Sequence, residues 1–89
     1  MIKVKKVTLD ILKPHQPNSL EFASALAEQE NEVQIRLTVA AVDEKTESII
    51  VEVEGSDINF EHLVERIKEL GGSVHSIDEV QVTGSSGTE

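Results

Sequence analysis

The chain has 89 residues, enough for one domain around a single core, with roughly 60–65% of the unfolded surface buried on folding. Its formal net charge is −9, from 17 acids against 8 bases, a field that repels phosphate backbones and argues against nucleic acid or an anionic membrane as partner. With no Cys, the chain has no disulfides, thiolate zinc sites or cysteine nucleophiles, and with two Phe as its sole aromatics a site of stacked bases or an aromatic cage is disfavoured.

No apolar run approaches the ~20 residues of a membrane span, and no apolar targeting region follows Met1. The expectation is a soluble, cytoplasmic protein. Residues 2–12 read as a first strand, with Val7, Leu9 and Ile11 on one face and Thr8, Asp10 and Leu12 on the other. The Lys5-Lys6 pair after Val4 breaks the alternation and predicts a bulge or a late start. Two prolines within residues 13–17 predict a loop that cannot continue a ladder.

Asn18 reads as a helix N-cap with Glu21 as the acid of a capping box. The helix it opens reaches Glu30, with Leu20, Ala23, Leu26, Ala27 and Glu30 at helical spacing and Phe22 beside them. Residues 33–42 alternate as a second strand, with Val33, Ile35, Leu37, Val39 and Ala41 inward. A third strand follows, with Ile49, Val51 and Val53 inward and Ile50, Glu52 and Glu54 outward. Matching the two inner faces requires an odd-length loop, and sets Arg36 beside Glu52 or Glu54 as a cross-strand ion pair. Asp57 or Asn59 caps a second helix. Its apolar stripe is Phe60, Leu63, Val64, Ile67 and Leu70, its polar face includes a solvated His62, and Gly71-Gly72 ends it. A last strand runs over residues 73–82, and the domain over residues 1–83, with 84–89 expected as a disordered polar tail.

The order β-α-β-β-α-β predicts an α+β, ferredoxin-like sandwich. Right-handed crossovers then give an antiparallel sheet in order 4-1-3-2 with both helices on one face. The other face is left open, with Thr8, Asp10, Arg36, Thr38, Glu52 and Glu54 upon it. Because the first and last strands become neighbours, residues 10–15 are expected beside residues 73–78. That brings Asp10, Lys13, His15, His75, Asp78 and Glu79 into one neighbourhood. Carboxylates and imidazoles without thiolates suit a divalent cation, and an oxygen-rich set suits calcium or magnesium. Under this reading Asp10, Asp78 and Glu79 are the metal ligands, while Lys13, His15 and His75 stand around them as binding partners. Plain structural roles compete: Asp10 bonding the turn, His15 exposed within it, His75 hydrogen-bonded on its strand. Regular alternation sends Asp78 and Glu79 to opposite faces, so a shared ion needs a bulge there.

No metalloprotease, EF-hand, phosphate-loop or nucleophile-elbow motif occurs, and Ser76 beside His75 on a strand is poor geometry for nucleophile and base. The expectation is a protein that is not an enzyme. VTLDILKPHQP (7–17) and GGSVHSIDEV (71–80) together resemble the two signature blocks of a small, mainly archaeal family, domain-of-unknown-function family 211. The resemblance covers residues 3–82 and implies a ferredoxin-like subunit that assembles into ring-shaped homo-oligomers, with calcium or another divalent cation as companion. It carries over to Asp10, Lys13, His15, His75, Asp78 and Glu79; Gln16 departs, standing where an acid is common. The same element order also resembles ACT-type regulatory domains, which bind small metabolites between subunits, although Asn18 follows the loop proline where those have Gly.

Overall fold

The computed structural model describes residues 1–30 and 32–84. The elements follow as β1 (Ile2–Pro14), α1 (Ser19–Gln29), β2 (Val33–Val42), β3 (Thr46–Gly55), α2 (Phe60–Glu69) and β4 (Ser73–Gly84). They form the ferredoxin-like α+β arrangement, with one four-stranded sheet in order β2-β3-β1-β4 and every neighbouring pair antiparallel. This is the expected order read from the opposite edge.

The core is one layer between the sheet and both helices. Val7, Leu9 and Ile11 of β1 and Ile49, Val51 and Val53 of β3 are buried against Phe22 and Leu26 of α1 and Leu63 and Ile67 of α2. Burying each such side chain contributes about 1.5–3 kcal/mol. On α1 the stripe that faces the sheet is Phe22 and Leu26, whereas Leu20 is exposed, which corrects the stripe expected through Leu20 and Ala27. The bulkier ring at position 22 takes the core, and the Ala-rich flank turns to the side.

The caps form as their residues require. Asn18 accepts from the Glu21 amide while the Glu21 carboxylate accepts from the Asn18 amide, and Asn59 caps α2 through the His62 amide. Gly71 adopts φ +88°, and the Gly71 and Gly72 amides donate to the Lys68 and Ile67 carbonyls. That left-handed turn ends α2 and launches β4.

Three of the sequence expectations shift. β1 does not stop at Leu12: Lys13 and Pro14 still pair with Glu47 and Thr46 of β3. Proline is tolerated because β4 has already left, its first pair being Leu12 with Ser73, so one flank of β1 needs no donor there. β4 extends to Gly84, opposite Ile2, so Thr83 and Gly84 are strand. The remainder of the expected tail, residues 85–89, lies outside the described residues. The β2–β3 hairpin has an odd-length loop, residues 43–45, but a bulge at Ala40, between the Val39–Ile49 and Ala41–Ser48 pairs, shifts the register by one residue toward the turn.

Candidate functional site

The open sheet face is built by the outward residues of β1, and three one-residue register shifts decide what stands on it. Lys5 of β1 and His75 and Asp78 of β4 are each left out of the β1–β4 pairing. Each is a bulge, which absorbs one residue and keeps its neighbours on their own faces. Asp10 therefore pairs with Ser76, and Thr8 with Glu79. Asp10, Leu12, Ser48 and His75 line a cleft of about 300 Å³ on this face, with β4, β1 and β3 side by side beneath it.

Next to the cleft runs an ion-pair row across the sheet. Arg36 of β2 reaches Glu52 of β3 at 3.8 Å, and Lys6 of β1 lies 3.5 Å from Glu52 and 3.3 Å from Glu79. The Thr8 hydroxyl donates to Glu79 at 3.0 Å. That hydrogen bond, and then Lys6, hold the Glu79 carboxyl below its ordinary value, while the Glu79 carboxylate raises the Lys6 ammonium. Arg36 beside Glu52 is the cross-strand pair expected from register.

Lys13 and His15 are elsewhere. Lys13 continues the inward alternation of Val7, Leu9 and Ile11 and is fully buried at the end of the core. Its ammonium donates to the Pro14 carbonyl at 2.8 Å and to Glu47 at 3.1 Å. His15 sets Nδ1 2.9 Å from the other Glu47 oxygen and Nε2 2.9 Å from the Glu44 carbonyl. Hydrogen bonds from His15 and then Lys13 lower the Glu47 carboxyl; Glu47 first, and then the Glu44 carbonyl, raise the His15 imidazole.

The six residues singled out in the sequence thus stand in separate places. Asp10 and His75 share the cleft, Glu79 belongs to the ion-pair row, and Asp78 is exposed on its bulge, accepting from the Ser76 hydroxyl at 2.6 Å. Lys13 and His15 face the β2–β3 hairpin and not β4, because β4 starts too late to reach them. Among the described residues, no three of His, Asp and Glu gather closely enough to hold a metal ion. His62, expected in solvent, is half-exposed and bonds the buried Glu30 carboxylate at 2.6 Å, tying α2 to the end of α1.

Over residues 5–88 the sequence matches domain-of-unknown-function family 211 (DUF211), described as an uncharacterized ArCR family. The chain belongs to this family. An uncharacterized protein of Methanocaldococcus jannaschii is 40% identical to it over 77 residues, which cover 86% of this chain and 79% of the relative. In this DUF211 chain the first resembling stretch spans both the cleft residue Asp10 and the buried Lys13, so it serves two places at once. Glu47 was not singled out in the sequence, yet its signal was present. Lys13 extends the inward alternation of β1 as Glu47 extends that of Ile49, Val51 and Val53, leaving opposite charges at adjacent strand ends. Among the described residues of this family member, no helix is long and apolar enough to cross a membrane.

Proposed function

We propose that this DUF211 chain is a non-enzymatic, cytoplasmic binding protein that self-associates, in a ring, and holds a divalent cation where β1 and β4 meet. The observation that carries the reading is the cleft in which Asp10 and His75, from distant parts of the chain, face one space. A carboxylate, a hydroxyl at Ser48 and an acidic surround favour calcium or magnesium. One chain supplies few donors there, so water or a second copy completes the coordination. Self-association is supported by the two sheet edges, β2 and β4, which have no neighbour among the described residues. It is also supported by a separate cleft whose lining among the described residues is apolar: Val4, Val7, Phe60, Ile77, Val80 and Val82. Titration calorimetry on chelator-stripped protein tests the cation. Saturable heat with calcium or magnesium, abolished in Asp10→Asn, is the expected result; no heat with any divalent ion at millimolar concentration defeats it.

A second reading, an ACT-like sensor of an organic metabolite, is favoured by the absence of a three-ligand group among the described residues and by the apolar wall that Leu12 gives the cleft. Stabilisation by a metabolite that persists in chelator selects this reading, and stabilisation lost in chelator selects the ion.

A further inference from the structure

His15 sits between two groups that only accept hydrogen bonds. Glu47 offers a carboxylate oxygen to Nδ1, and Glu44 a carbonyl oxygen to Nε2, each at 2.9 Å. A neutral imidazole has one N–H and satisfies one of them, leaving a lone pair aimed at the other oxygen. Only the imidazolium donates to both. We propose that His15 is a pH-operated clasp: protonated, it locks the loop after β1 onto the turn end of the β2–β3 hairpin, and deprotonation releases the hairpin.

The surroundings agree with this assignment. From the hairpin, Glu47 and the Glu44 and Asp43 backbone face the ring, and from β1 the Lys13 ammonium shares the Glu47 carboxylate. The charged side chains of Asp43, Glu44 and Lys45 at the hairpin tip are exposed. Three acids, Asp43, Glu44 and Glu47, stand against two lysines, Lys13 and Lys45, a surplus of one negative charge that the imidazolium balances. The His15 pKa is raised from 6.5, so its linkage stabilises the closed clasp fully below about 6.5 and is lost as pH rises through the higher folded value. The Glu47 pKa is lowered from 4.5, so the clasp also fails as pH falls through that lowered value. It is closed between the two. Opening takes one of the two partners from Glu47, the carboxylate that the fully buried Lys13 ammonium shares.

The whole chain, labelled with ¹⁵N, tests this by NMR. At pH 6.5 both His15 ring nitrogens should carry protons, and the ring should titrate with a midpoint above 6.5. The Asp43 amide, bonded to the Thr46 carbonyl at 2.8 Å, reports hairpin closure. Its exchange, corrected for intrinsic base catalysis, should rise roughly fivefold across the His15 midpoint, the population change of one ordinary hydrogen bond. In His15→Gln that step should vanish, and in Glu47→Gln the His15 midpoint should fall back toward 6.5. A single N–H on His15 at pH 6.5, a midpoint that Glu47→Gln does not lower, or an exchange step that survives in His15→Gln overturns the proposal.

Discussion

Gly72→Ala is the substitution whose cost the packing defines most closely. A Cβ at position 72 would lie 3.0 Å from Ile67 Cγ2, 3.2 Å from Phe22 Cζ and 3.3 Å from Ile11 Cγ2. Unstrained carbon contacts are about 3.5–4.0 Å, so all three neighbours must yield by several tenths of an ångström. None has solvent to retreat into, because Ile67, Phe22 and Ile11 are fully buried on three different elements. Overpacking of this kind costs about 1–3 kcal/mol, and the loss of glycine freedom in the unfolded chain returns about 0.4–1 kcal/mol. The net is a destabilisation of about 1.5 kcal/mol, which for a domain of this size lowers the Tm by roughly 6–12 °C. Thermal and urea unfolding measure it, with Phe22→Leu as partner. Removing the Cζ atom relieves the closest aromatic contact, so the double variant should be more stable than additivity predicts by about 0.5 kcal/mol or more. A Gly72→Ala protein that melts at or above the parent, or strictly additive penalties, refutes the steric argument.

Asn18→Ala removes the acceptor for the Glu21 amide and should cost about 1 kcal/mol by urea titration, with Asn18→Asp close to neutral. Lys13→Met leaves the Glu47 carboxylate with His15 alone at the end of the core. The loss should be about 3 kcal/mol, partly restored when Glu47→Gln is added, and an unchanged unfolding midpoint would contradict the buried pair. Glu79, held below its ordinary value of 4.5 by Thr8 and Lys6, contributes stability above that value which fades as pH falls through the lowered one. Parent and Glu79→Gln should therefore differ in urea midpoint at pH 7 and converge as pH falls below the lowered value; a constant gap would show that the ion-pair row is not the cause.

The fold was legible because its signals are periodic. Val7, Leu9 and Ile11 against Ile49, Val51 and Val53 define two strands, and the cap at Asn18 and the Gly71-Gly72 stop define helix ends. The candidate site was legible only in part. Adjacency of β1 and β4 follows from topology and brought Asp10 to His75. Register does not follow from topology. The reach of His15 toward β4 failed because β4 begins at Ser73, opposite Leu12, one strand residue before Lys13. In β4 the residues paired with the inward side of β1, the partly buried Val74 and the half-exposed Ile77, Val80 and Val82, are separated by three, three and two positions, a spacing that names no strand face until the bulges at His75 and Asp78 are known. The buried Lys13 was hidden by a different habit. Charge suggests a surface position, and only the extended alternation of β1 and β3 points inward.

Those bulges give β4 two more residues than its stretch of β1 needs for pairing. Each surplus residue is polar, and each is free of the rule that assigns alternate side chains to core and solvent. Deleting His75 or Asp78 would leave a shorter, regular strand whose valines and isoleucine still face the helices. Deleting Ile77 would instead take an apolar side chain out of that row. The strand can thus gain, lose or exchange residues at two points beside the cleft without renegotiating the core, so binding chemistry at this edge is able to diverge by insertion as well as by substitution.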